Sequence, residues 1–194
     1  VRPGSHVIDE QVLAVVSPPD RLDDDLAGAL RDAVVVSRSR SPYQDVEFAV
    51  QQLTELAVRA LSPGTNDPFT AENALDDLAS GLALLAERAV PSAERFDDSG
   101  RLRVHAPAVD VSELVSQVMD AMRWYAIDHP GVVIAALELV ERVGERAARR
   151  RIRARLLAEV DRLRTAVERA GWQDHDVEVF RARADEVARG LARA

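Results

Sequence analysis

The chain has 194 residues, 47% hydrophobic and 30% charged, a balance that suits a folded globular body and excludes a disordered one. It contains no cysteine, which removes thiolate nucleophiles, CxxC redox chemistry and cysteine zinc sites, and fits a reducing compartment. The net charge of −8, with all 25 basic residues arginine, opposes a phosphate backbone and argues against nucleic acid as a partner.

The chain opens on Val1-Arg2-Pro3-Gly4 without an initiator methionine, at what reads as the turn between two strands, so a first strand is expected to be missing. Val7-Ile8 and Val12 to Val16 are β-branched segments between Pro3-Gly4 and Pro18-Pro19, and they predict short strands. Asp20 then caps a helix to about Ala33, with Leu22, Leu26 and Leu30 as its buried stripe, and Val34-Val35-Val36 reverts to strand character. Residues 1–40 therefore read as a small β/α unit.

Residues 41–194 read as a helical domain. Ser41 and Pro42 form a helix start, with Gln44 able to reach back to the cap, and Val46, Val50, Leu53, Ala57 and Ala60 mark one buried face to about Leu61. Ser62-Pro63-Gly64 stops that helix and Asp67-Pro68 starts another, whose Leu75, Leu78, Leu82 and Leu85 complete an αα-hairpin. A β-hairpin near 94–105 turns at Asp98-Ser99-Gly100, with Gly100 at positive φ. Asp110 with Glu113 opens a helix carrying Leu114, Val118, Met119 and Met122, and Pro130 opens another carrying Val133, Leu137 and Val140. Ile152, Leu156, Val160, Leu163 and Val167 make a further helix ended by Gly171, and Val177, Phe180, Ala184, Val187 and Leu191 make the last. The fold class is mainly α: a helical bundle with a small N-terminal β unit and a short β-hairpin. No run approaches the roughly 18–20 apolar residues that cross a bilayer, and no secretory signal opens the chain.

One string of residues is unusual: Gln44-Asp45, Phe48, Gln52-Leu53, Ala57, Arg59 to Gly64, and Asn66 to Ala71. It closely resembles a bacterial family of predicted membrane proteins called domain of unknown function 2254. The likeness extends upstream through Arg2-Pro3-Gly4 and Arg38-Ser39-Arg40, and downstream through Asp120, Arg123 and Tyr125. It departs from the family pattern at Ala49, Gln51 and Ala121, where the family usually has Gly, Arg and Gln. The resemblance implies the soluble C-terminal portion of a protein anchored in the cell membrane by helices preceding Val1, and the absence of cysteine makes the cytoplasm the expected side for this domain. The resemblance carries no activity with it.

The candidate ligand-binding residues are Arg40, Gln44, Asp45, Arg59, Ser62, Asn66, Asp67 and Thr70. The loop from Ser62 to Thr70 places polar groups at a helix N-terminus, where exposed N–H groups can take an anion. The plainer reading, which is favoured, makes Asp67 an N-cap, Pro68 a first-turn proline and Ser62-Pro63-Gly64 a helix stop. Arg59 and Asp67 can pair across the loop. No catalytic residue or cofactor is assigned, because no GxSxG elbow, Walker loop or GxGxxG is present. His6, His105, His129 and His175 lack metal-ligand spacing.

Arg149, Arg150, Arg151, Arg153 and Arg155 form the one basic cluster, a candidate contact for anionic lipid headgroups and more plainly a solvated helix face. The other candidate partners are an upstream transmembrane segment of the same protein and a second copy of the chain. The leading expectation is a regulatory or assembly domain of an integral membrane protein. The alternative is a small-ligand receptor or enzyme using the Ser62 to Thr70 loop.

Overall fold

The computed structural model describes residues 1–43, 45–89, 91–106 and 108–193. They fall into two compact units, Val1–Phe48 with Ala93–Pro107, and Ala49–Ser92 with Ala108–Ala194.

The second unit is an all-helical bundle. It takes α2 (Val46–Ala60) from Ala49 onward, then α3 (Pro68–Glu87), α4 (Val111–Tyr125), α5 (Pro130–Arg146), α6 (Arg150–Val167) and α7 (Asp174–Arg193). α5 is its axis and packs on α3, α4, α6 and α7. Its inward positions are those the periodicity predicted: Val133, Leu137 and Val140 are fully buried, as are Leu114, Val118 and Met122 of α4 and Leu156, Val160 and Leu163 of α6. Burying each such side chain contributes about 1.5–3 kcal/mol, so this apolar interior stabilises the unit.

Local chemistry sets the helix ends. Asp110 caps α4 by accepting the Ser112 amide at 2.9 Å, and Pro130 opens α5 as expected. Gly171, at a φ of 70°, lets the chain turn after α6. Beyond that turn, the Trp172 indole N–H donates to the Ile127 carbonyl at 2.7 Å while its ring meets Phe180 edge-on, which ties the α6–α7 connection to the end of α4.

Two expectations for this unit need correction. α2 and α3 do not form a packed hairpin: the leucine stripe of α3 faces α5, and among the described residues α2 shares no broad surface with another element. The reason is apolar supply, since the buried positions of α2 are only Val50, Ala57 and Ala60, whereas α5 offers a continuous aliphatic face. The start of that helix also moves. α2 begins at Val46, with Asp45 rather than Ser41 bonded to its third amide, Phe48.

The first unit contains a 3₁₀ turn (Pro19–Arg21), α1 (Asp24–Asp32), the opening residues of α2, and the hairpin β1 (Glu94–Phe96) and β2 (Leu102–His105). The hairpin is antiparallel and turns at Gly100 with a φ of 77°, as predicted. The Asp97 carboxylate accepts the amides of Ser99 and Arg101 inside the turn, and the Ser99 hydroxyl bond foremost holds that carboxyl below its usual range.

The predicted N-terminal strands are absent among the described residues: 7–8, 12–16 and 34–36 pair with nothing as strands, and Val15 and Val35 are 84% and 89% exposed. β-branched residues favour a strand only where a neighbouring strand supplies ladder bonds and a buried face, and here neither is present. α1 is likewise shorter than expected and is capped by Asp23, with Leu22 and Leu26 left exposed. Among the described residues of this unit the only buried one is Asp45.

Candidate functional site

The eight candidate residues divide between the two units. Arg40 and Asp45 belong to the first, where they are in direct contact: Arg40 Nε donates to Asp45 Oδ2 at 2.8 Å and Nη2 to Oδ1 at 2.9 Å. This two-point fork is the strong form of an ion pair. The Phe48 amide donates to Oδ1 at 3.0 Å, and the Arg40 guanidinium also lies 5.0 Å over the Phe48 ring. The Arg40 hydrogen bond holds the Asp45 carboxyl below its ordinary value against the opposing pull of burial, and it raises Arg40 in turn. Gln44 lies outside the described residues.

Arg59, Ser62, Asn66, Asp67 and Thr70 belong to the second unit. Arg59 pairs with Glu55 one helical turn away at 3.1 Å, and not with Asp67. Asp67 instead turns onto its own helix, accepting the Thr70 amide at 3.1 Å and the Thr70 hydroxyl at 2.6 Å. The Thr70 hydroxyl bond lowers the Asp67 carboxyl. That carboxylate occupies the place at the α3 N-terminus where an external anion would sit. The Ser62 carbonyl accepts the amides of Thr65 and Asn66, and Asn66 adopts a φ of 44°, so the loop closes on its own backbone.

The basic cluster is largely engaged. Arg151 pairs with Asp110 at 2.5 Å, Arg153 donates to the Ala147 carbonyl at 2.5 Å, and Arg155 donates to the Ser116 hydroxyl at 3.1 Å.

A second charged cluster, outside the eight candidate residues, lies between α4 and α6. Glu159 is 1% exposed, accepts the Ser116 hydroxyl at 2.6 Å and pairs with Arg162, while Arg155 lies 3.6 Å away. Its other oxygen, Oε2, is buried without a hydrogen bond. Asp120 and Arg123 pair on the same helix as Ser116. A signal was available: Glu159 sits at helical spacing between Ile152, Leu156 and Leu163, so a carboxylate falls within the apolar stripe.

These arrangements bind helix ends and helices to one another. Among the described residues no group of three or more His, Asp or Glu side chains is placed to hold a metal ion, and no helix is long and apolar enough to cross a membrane.

Comparison with known proteins bears on residues 1–142, which match the family described as predicted membrane protein, domain of unknown function 2254. The chain belongs to this family. Among its relatives are an uncharacterized protein of Mycobacterium bovis and one of Mycobacterium tuberculosis, each 32% identical over 112 residues. That alignment takes in 58% of this chain and 22% of each relative, so the chain spans about a fifth of their length. No solved structure matches it. The family match includes the Arg40–Asp45 pair, the Ser62 to Thr70 loop and Ser116, and it ends before Glu159.

Proposed function

We infer that this chain is a non-spanning portion of a larger membrane protein and serves it, on the cytoplasmic side, as a regulatory or assembly module. The observation that carries this reading is the pairing of a membrane-protein family with a chain whose described helices are all too short or too polar to cross a bilayer. The candidate residues Asp45 and Asp67 support a non-catalytic role, because each spends its carboxylate on capping a helix, as Asp110 does on α4. The partner of such a module is the membrane-embedded part of the same protein.

Fractionation tests the first half of this reading. Expressed by itself, the chain should stay in the supernatant when membranes are pelleted and washed with carbonate. Recovery only in the detergent-soluble pellet would overturn it. For the side of the membrane, the absence of cysteine is useful. With any cysteines outside this chain replaced, a cysteine placed at exposed Ser99 of the full-length protein should react with an impermeant maleimide only after cells are opened. Labelling of intact cells would exclude a cytoplasmic location.

A further inference from the structure

The N-terminal turn and the start of α2 meet at one carboxylate. Gly4 has a φ of 79°, and a Cβ added to it would lie 1.9 Å from Asp45 Oδ2 and 2.8 Å from Nη2 of Arg40. The backbone at Gly4 therefore lies directly on the Arg40–Asp45 pair, at a distance only glycine permits. A second tie runs alongside, since Arg2 pairs with Glu47 in the first turn of α2 at 3.3 Å. The turn is closed internally by the Ser5 amide on the Arg2 carbonyl at 3.1 Å and by the Arg2 amide on the Ser5 hydroxyl at 3.2 Å.

Asp45 is 5% exposed and is the one buried residue among those described in this unit, which buries no apolar side chain. What holds the N-terminal turn down is thus polar. Segments with few buried apolar contacts open at low free-energy cost, well below that of global unfolding. The bonds to Asp45 in turn depend on the cover: hydrogen bonds to a charge are stronger when water is excluded and weaken once it enters.

We propose that residues 2–5 are a strap seated on Asp45, and that lifting the strap uncaps α2. The position of the N-terminal turn and the order of the first turn of α2 are then one equilibrium, a conformational switch that any force or partner acting on residues 2–5 would throw. Coupling of this kind is reciprocal: disturbing the cap must loosen the strap as much as disturbing the strap loosens the cap.

Hydrogen exchange on the whole chain reads both ends. Gly4→Ala places a methyl group where the Asp45 carboxylate sits and leaves every residue of α2 unchanged. It should speed exchange at residues 2–5 and also at the Phe48 amide, by about five- to tenfold, the scale of a lost cap. Amides of α5 serve as the unaffected control. In the reverse direction, Asp45→Ala should release residues 2–5. Arg2→Ala, which removes only the tie to Glu47, should give the Gly4→Ala pattern at smaller size and covers the case in which Gly4→Ala fails to fold. The proposal is overturned if the strap variants loosen residues 2–5 while the Phe48 amide exchanges as in the parent, or if Asp45→Ala leaves residues 2–5 unchanged.

Discussion

Ser116 on α4 gives its hydroxyl proton to Glu159 on α6 across 2.6 Å, in a region where both residues are buried. The Ser112 carbonyl, 3.0 Å from the same hydroxyl, competes for that proton, and the shorter bond to a charged acceptor prevails. Ser116→Ala should therefore cost about 1–3 kcal/mol, because it removes the hydroxyl donor from a buried carboxylate whose Oε2 already lacks a partner. Glu159→Gln should cost about 1 kcal/mol, since it keeps the hydroxyl contact but loses the charge that faces the half-exposed Arg155 and Arg162. Urea unfolding checks the contact. The cycle is closed with Glu159→Ala, which removes the acceptor: strict additivity of Ser116→Ala and Glu159→Ala in their double variant would mean that these residues do not interact.

The Asp45 carboxyl gives a prediction in pH. Its folded value lies below the ordinary 3.8, so its stabilising contribution is complete above 3.8 and is lost as pH falls through the lower folded value. The Phe48 amide resonance reports on the bond directly and should titrate with an inflection below 3.8. Asp45→Asn, which still caps the helix but cannot ionise, should abolish that inflection. An inflection at or above the ordinary value in the parent would show that the Arg40 fork does not form in solution.

Helix punctuation and ligand binding make different demands on the Ser62 to Thr70 loop. If the loop only closes the chain, Asn66→Gly should be nearly neutral because glycine accepts a φ of 44°, while Asn66→Ala and Asp67→Ala should lower the melting temperature. A thermal-shift screen of metabolites, nucleotides and ions should then find nothing that distinguishes parent from variants. A compound at a hundred times its dissociation constant would add about 2.7 kcal/mol. Stabilisation of the parent alone, with folded variants, would shift the assignment to a receptor or enzyme.

Gly144 is packed beneath Leu191. A Cβ at Gly144 would lie 2.0 Å from Leu191 Cδ2, so Gly144→Ala must displace a buried side chain of α7. Overpacking of that kind costs about 1–3 kcal/mol, offset by the roughly 1 kcal/mol that alanine gains over glycine inside a helix. The net effect should be a loss of up to about 2 kcal/mol. In a Leu191→Ala background, where the obstacle is gone, the same substitution should stabilise by up to about 1 kcal/mol. Calorimetric or urea unfolding of the four proteins checks the reversal of sign, and its absence would mean the helices do not meet there.

The sequence by itself determined the helices after Asp67 and the apolar faces they bury, because 3.6-residue periodicity, Asp caps, first-turn prolines and Gly171 all agree over long segments. It also determined the β-hairpin, whose turn at Gly100 is local chemistry. The tertiary structure alone decided which faces meet. The leucines of α3 were legible, but their choice of α5 over α2 depends on how much apolar surface each partner offers, which no single segment encodes. It also decided that Val15 and Val35 form no strand, since a strand exists only with a neighbour to pair. The pairing of Arg40 with Asp45 joins residues five apart that the sequence named as candidates. Gly4 beneath them, and Glu159 under Ser116, depend on chain segments brought together across 41 and 43 positions, and only the folded arrangement shows those carboxylates as the points where segments join.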